Sequence, residues 1–186
     1  MNPEIANKAT FNERFEAFVD DALPMLRKLR RETGVLIPLL FAHVSKPVEG
    51  KEWIMTDLSA FFEDSDSKNR LAEIAPGFAQ QVKAKAVVVV NEAWSVRPNV
   101  TKEELDQWLE NNDSLGKHPE ALDVVLVRYE EPGRDAFVVY EAFEDGTMSP
   151  EPLFNSMEID DGEDNAENVY RYSRLQFFPD PPGLSA

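Results

Sequence analysis

Four side chains have the type and the position to bind a ligand or to carry acid–base chemistry: Glu92, Trp94, His118 and His43. Glu92 follows four consecutive valines, and the two-residue period of a strand places it on the face of Val90 and Trp94. A carboxylate that is buried on such a face has a raised pKa and can act as a general acid or base. The alternative, which we favour, is that the strand leaves the core at Asn91 and that Glu92 is exposed or salt-bridged.

The other three candidates also have structural interpretations. Trp94 shares the phase of the valines and is predicted to be a buried core residue, whose replacement by alanine costs about 3–5 kcal/mol. His43 lies in an apolar run at 35–44 and, if the run is a strand, shares the face of Val35, Ile37, Leu39 and Phe41. A lone histidine there is more often a hydrogen-bonded structural residue than a ligand. His118 precedes Pro119, which favours an extended conformation, and it is expected to end a loop.

The sequence motifs of phosphate binding, hydrolysis and metal binding are missing. The eight glycines are scattered, no Gly-Lys-Ser/Thr or Gly-x-Ser-x-Gly sequence occurs, and the two histidines are far apart in the chain. The acidic run at 160–164 lacks the alternating spacing of a calcium-binding loop. The absence of cysteine excludes disulfides, thiolate metal sites and cysteine nucleophiles. We therefore predict neither a cofactor nor a metal.

The charge is strongly negative and unevenly placed. The chain has 19 Lys and Arg against 35 Asp and Glu, a net charge of −16, and residues 135–170 contain neither Lys nor Arg. Such a field repels phosphates, so binding to nucleic acid or to an anionic membrane is not expected. It is typical of a solvated loop or of a surface that meets a basic partner.

The sequence predicts neither a membrane span nor a secretion signal. The longest stretch without a charged residue, at 33–45, has 13 residues, whereas a helix that spans a bilayer needs about 20. Residues 1–15 lack the apolar core of a signal peptide. We predict a soluble, cytoplasmic protein.

The first helix is predicted to begin at a capping box formed by Thr10 and Glu13. Its apolar residues follow a helical period: Phe11, Phe15, Phe18, Ala22, Met25, Leu26 and Leu29. Pro24 predicts a kink or two abutting helices, and Gly34 is the expected stop. The basic residues of the last turns are expected to be solvated or paired with local acids: Arg27, Lys28, Arg30 and Arg31.

Two further helices are predicted. One is capped by Asp66 or Ser67 and runs to Val82, with its inner face formed by Leu71, Ile74, Phe78 and Val82, and Pro76-Gly77 is a potential break in it. The other is short and opens at a second capping box, formed by Thr101 and Glu104.

The strand patterns favour a meander. A run at 35–44, in which Pro38 indicates an edge or a bulge, forms a hairpin with 53–58. Residues 84–96 predict a central strand covered on both faces, because valine occupies positions 87–90. A second hairpin is predicted for 122–131 and 134–144, and a last strand for 169–178.

These elements predict one α+β domain over residues 1–186, with a flexible acidic loop at 156–168. Its sheet is mostly antiparallel with five or six strands, and the N-terminal helix and further helices pack on one face. Strict alternation of strands and helices is missing, which disfavours a doubly wound parallel sheet.

The order of a valine-rich strand, Glu92-Ala93-Trp94, a polar insert, His118-Pro119-Glu120 and a second valine-rich strand resembles small uncharacterised proteins of bacteria and their phages. The resemblance covers only this part of the chain. It implies no activity and no catalytic residues.

The leading hypothesis is a non-enzymatic interaction or accessory protein that binds a basic protein partner or itself. One alternative is a nucleic-acid mimic that inhibits a basic partner, and the other is a metal enzyme that uses carboxylates such as Glu92. The mimic requires carboxylates on rigid elements, and the enzyme requires several acids that converge in one pocket.

Overall fold

A computed structural model describes residues 9–62, 65–97, 100–112, 115–158 and 176–178. The helices are α1 (Phe11–Thr33), α2 (Ser65–Gln81) and α3 (Lys102–Asn111). The strands are β1 (Leu39–Val48), β2 (Lys51–Asp57), β3 (Ala84–Val96), β4 (Ala121–Glu131), β5 (Arg134–Glu141) and β6 (Phe154–Asn155).

The strands form one sheet in the order β2-β1-β3-β4-β5-β6, and all neighbours are antiparallel. Because β2 and β3 are both antiparallel to β1, they run parallel to each other, and α2 provides the crossover between them. The α+β class and the antiparallel six-stranded sheet are confirmed.

The helices divide between the two faces of the sheet, so the expectation that they share one face is wrong. On the first face, α1 packs Phe15 and Leu26 against a core that includes Val88, Val127 and Tyr129. On the second face, α2 packs a different set of side chains against β1 and β3, namely Leu71, Ala75 and Ala79 against Leu40, Val87 and Val89. The four central valines are buried from both sides, as predicted for a covered strand.

Helix α1 begins and ends where the sequence predicts. Thr10 and Glu13 form the reciprocal capping box, and Gly34 ends the helix in the left-handed conformation with its N–H bonded to the Arg30 carbonyl. Pro24 lies inside one continuous helix, so the helix is not divided in two. In α2 the buried face contains Leu71, Ala75 and Ala79, whereas Ile74, which was expected to face inward, is half exposed.

The beginning of α1 is tied to β4 by a part-buried polar network. Arg14 donates two hydrogen bonds to the Glu131 carboxylate, at 2.7 and 2.6 Å, and the Tyr129 hydroxyl donates a third at 2.7 Å. Burial opposes ionisation of Glu131, but these donors outweigh it and lower the pKa of the carboxyl.

Strand β1 begins at Leu39 rather than at residue 35. Proline disfavours helical geometry at the residue before it and supplies no N–H, and the chain joins the sheet only after Pro38. Before this point Leu36 is buried, whereas Val35 and Ile37 are exposed, which reverses the predicted phase. The hairpin to β2 has positive φ at both Glu49 and Gly50, as the tight turn of a twisted hairpin requires.

The other strand predictions are confirmed to within a few residues, except near the C-terminus. β3 spans 84–96 as expected, and β4 and β5 meet at a two-residue turn formed by Pro132 and Gly133. β5 ends at Glu141 instead of residue 144, and the short β6 was not predicted. Most of the acidic loop at 156–168, and residues 169–175 of the predicted last strand, lie outside the described residues. Residues 176–178 are described and do not form a strand.

Candidate interaction site

Arg30, in the last turn of α1, is only 4% exposed although it is charged. Its Nε donates to Oε1 of Glu92 at 2.7 Å, and its Nη1 donates to the carbonyl oxygens of Phe143 and Thr147, both at 2.7 Å. The same Glu92 oxygen accepts the N–H of Leu36 at 2.8 Å. The ion pair therefore joins α1, β3, the segment before β1 and the turn after β5.

Glu92 has the environment of a structural ion-pair residue. It lies on the predicted face of β3, with a side chain that is 24% exposed, and one of its oxygens is taken by two donors. These contacts support the salt-bridged interpretation. Of the basic residues near the end of α1, Arg30 pairs with this acid, and Arg27 donates to the carbonyls of Ser149 and Pro150 at 2.9 and 2.7 Å.

Trp94 is 56% exposed, so the prediction that it is buried is wrong. The predicted phase is right: Val88 and Val90 belong to the core under α1, Glu92 meets Arg30 of α1 on the same face, and Trp94 is the next alternate residue. Helix α1, however, ends over Glu92, where Arg30 meets the carboxylate, and Trp94 is two residues farther along β3. Alternation gives the face of a residue but not how far the covering helix extends.

The exposed indole of Trp94 nevertheless lies against the backbone at Gly116. A Cβ atom at Gly116 would be 2.8 Å from two ring atoms of Trp94, which is closer than real contacts allow. Glycine is therefore required for this approach. The contact covers one side of the ring and leaves the rest open to solvent.

His118 follows Gly116 by two residues and has structural contacts. Its Nδ1 accepts the N–H of Glu120 at 3.0 Å, and its ring meets Trp108 of α3 edge to face, with centroids 4.9 Å apart. The Trp108 Nε1 is buried and has no hydrogen-bond partner among the described residues.

Four exposed apolar side chains lie on the segments that contact the Arg30–Glu92 pair or on β3 beside Glu92. We call them the Trp94 surface: Val35 (57% exposed), Ile37 (44%), Trp94 (56%) and Phe143 (38%). The first two flank Leu36, which donates to Glu92, and the carbonyl of Phe143 accepts from Arg30. Val35, Ile37 and Phe143 thus belong to backbone segments that the ion pair holds. Trp94 follows Glu92 by two residues on the same face of β3.

His43 lies at the other end of the sheet. It is opposite Ala86 in the β1–β3 register, six residues before Glu92, which corresponds to about 20 Å along β3 at about 3.3 Å per residue. Its imidazole stacks on Trp53 with centroids 4.9 Å apart, and burial, followed by the charge of Lys85, lowers its pKa. The structure thus brings together Glu92, Trp94 and the loop of His118, and it separates them from His43.

The chain matches no protein-family model, no curated protein and no solved structure. The resemblance to small bacterial and phage proteins therefore stays a prediction. Among residues 9–158, apart from the short gaps in the description, and 176–178, no group of three or more His, Asp or Glu is placed to hold a metal ion. In the same part of the chain, no helix is long and apolar enough to cross a membrane.

Arg30 and Gly116 were not among the predicted site residues. Arg30 continues the stripe of Phe15, Val19, Ala22 and Leu26, since it follows Leu26 by four positions, and this spacing was a usable signal of burial. Gly116 has no comparable signal, because its role depends on a strand more than 20 positions earlier in the chain.

Proposed function

We propose that this chain is a non-enzymatic interaction protein that binds a basic protein partner through the Trp94 surface. The observation that carries the proposal is the exposed indole of Trp94, which is already packed against Gly116. An exposed tryptophan with restricted motion loses little further freedom on binding, and tryptophan is enriched among the residues that contribute most to affinity.

The charges around the Trp94 surface support a basic partner. Asp123 is the cross-strand neighbour of Trp94 and is exposed, and Glu144 and Asp145 are exposed directly after Phe143. Three exposed bases also lie near this surface: Arg31 beside the same turn, Lys117 directly after Gly116, and Arg97, which pairs with Glu120. The chain as a whole nevertheless has a net charge of −16. A second copy would bring acids against acids, whereas Lys and Arg around an apolar anchor would complement this rim.

The other predicted functions have less support. The nucleic-acid mimic depends on the acidic segment at 158–167, whose side chains lie outside the described residues. The metal enzyme depends on carboxylates such as Glu92, one of whose oxygens, Oε1, already accepts from Arg30 and from the N–H of Leu36. A cytoplasmic location and a bacterial or phage origin belong to the same proposal, and they rest on the sequence alone.

Site-specific cross-linking tests the proposal. The photoreactive residue p-benzoylphenylalanine replaces Phe143, and the full chain is irradiated in an extract of the source cells. The matched control carries the same residue at Ile74, which is half exposed on the opposite face. We expect an adduct with a basic protein at position 143 but not at 74, and we expect raised salt to reduce it.

The partner is then purified and its affinity is measured. Trp94→Ala should weaken binding at least about thirtyfold, which corresponds to the roughly 2 kcal/mol of a dominant anchor. Equal adducts at both positions, or an adduct that survives Trp94→Ala unchanged, would refute the assignment of the surface. A Trp94-dependent partner without excess Lys and Arg would refute its basic character.

A further inference from the structure

A short C-terminal segment, Gln176–Phe178, packs on the second face of the sheet, opposite the Trp94 surface. Phe177 is 3% exposed and belongs to the cluster formed by α2, β1 and β3, which includes Leu71, Ala75 and Val87. Phe178 is partly buried against the same cluster. The segment is not a strand of the sheet, so pairing with a strand does not explain its position.

The segment is held by a buried carboxylate. Glu130 of β4 is 6% exposed, and its Oε1 accepts the N–H of Phe177 at 2.8 Å and the N–H of Phe178 at 2.7 Å. Burial raises the pKa of Glu130, and these two donors and the Arg128 guanidinium act against this shift. Arg128 Nη2 is 3.7 Å from Glu130 Oε2 and 3.2 Å from Asp135 Oδ2.

This arrangement has the chemistry of peptide recognition. A carboxylate in an apolar groove is costly without donors, so Glu130 favours a ligand that presents two consecutive N–H groups. The adjacent apolar cluster packs against an aromatic ring, that of Phe177. Pro179 has no N–H, so the run of consecutive backbone donors ends at Phe178.

We infer that the groove formed by α2, β3 and Glu130 is a binding site for a Phe-Phe segment whose backbone bends so that both N–H groups reach one carboxylate oxygen, and that Gln176–Phe178 occupies it as an intramolecular ligand. Among the described residues, the hydrogen bonds that hold this segment are accepted by the Glu130 carboxylate, and the most deeply buried side chain of the segment is the Phe177 ring. A contact made outside the hydrogen-bonded ladder of the sheet opens at a lower free energy than the central strands. Release of this segment would free the groove to bind a Phe-Phe segment of another chain through the same two backbone N–H groups.

Binding of a peptide in trans tests the inference on the full chain. The probe is a fluorescently labelled peptide with the sequence of residues 173–181, and binding is followed by anisotropy. Phe177→Ala in the protein weakens the intramolecular ligand, and we expect this variant to bind the peptide at least about tenfold more tightly than the wild-type chain does. Adding Glu130→Gln to that variant should weaken binding at least about fivefold, because an ionised acceptor makes the stronger hydrogen bonds.

The control peptide contains alanine in place of Phe177. If the folded Phe177→Ala protein binds neither peptide, or binds both equally, the inference is overturned and Phe177 is an ordinary core residue. Should this variant fail to fold, amide hydrogen exchange in the wild-type chain decides. The Phe177 and Phe178 amides should exchange at least about 100-fold faster than those of Val88 and Val127, and equal rates would overturn the inference.

Discussion

Replacement of Glu92 by alanine removes the carboxylate that joins α1 to the sheet. Two hydrogen bonds to a charged oxygen are lost, from Arg30 Nε and from the Leu36 N–H, and each contributes about 1.5–3 kcal/mol. Two features reduce the total: Glu92 retains some exposure to water, and Arg30 keeps its bonds to the Phe143 and Thr147 carbonyls. We expect Glu92→Ala to lower the free energy of unfolding by about 3 kcal/mol.

The conservative variant separates charge from shape. Glu92→Gln keeps an oxygen of similar position that can accept from the same two donors, but it loses the charge that strengthens both hydrogen bonds. We expect it to cost about 1–1.5 kcal/mol. The matched control is Glu73→Gln on α2, an exposed acid, for which we expect a change within about 0.5 kcal/mol.

The assay is urea denaturation followed by circular dichroism, with Arg30→Met and the double variant completing a mutant cycle. A coupling energy of about 1.5–2.5 kcal/mol between Arg30 and Glu92 is expected, because the pair is largely buried and weakly screened. A cost of Glu92→Ala below about 1 kcal/mol, or a coupling below about 0.5 kcal/mol, would refute the reasoning. In that event Glu92 would be a surface acid without a structural role.

Three further outcomes follow from the structure. Trp94→Ala should cost about 1–2 kcal/mol in urea denaturation, since more than half of the side chain is already exposed; a cost above about 3 kcal/mol would mean that it is buried in solution. Gly116→Ala should displace the Trp94 indole, seen as a shift of its N–H signal in NMR, because the new Cβ would lie 2.8 Å from the ring; an unchanged signal would contradict the contact. The pKa of His43 is lower in the folded protein than in the unfolded chain, so the unfolded chain is protonated at His43 first as the pH falls. His43 should therefore lower the free energy of unfolding as the pH falls from about 6.5 to the pKa of His43 in the folded protein. His43→Gln should make the free energy of unfolding less dependent on pH between about 8 and 5.5, and equal dependence in both proteins would show that His43 is not buried as described.

Local signals predicted the elements of this fold well. The Thr10 and Thr101 capping boxes form as the sequence indicates, because each requires only residues within one helical turn. The central strand is recognisable from four consecutive valines, which only a strand covered on both faces buries completely. The division of the helices between the two faces was not predictable in the same way, because it depends on the crossover through α2.

The site was less predictable because it depends on where elements end relative to one another. The phase of β3 correctly placed Glu92 and Trp94 on one face, but the sequence did not show that α1 ends between them. The phase of residues 35–37 is reversed because Leu36 leaves the strand pattern before Pro38 and turns onto the first face. Both errors concern the same end of the sheet, where the end of α1, the segment before β1 and the turn after β5 meet.

The position of the Arg30–Glu92 pair also bears on the exposed surface around it. A largely buried ion pair contributes little net stability compared with apolar packing, because the desolvation of both charges offsets their attraction. What it adds is geometry, since its donors and acceptors fix the Leu36 N–H and the Phe143 and Thr147 carbonyls at 2.7–2.8 Å. An apolar pair of the same volume would fill the space without holding these backbone groups. The charged pair is therefore better explained by the backbone positions that it sets, and these positions belong to the segments that carry the exposed side chains of Val35, Ile37 and Phe143.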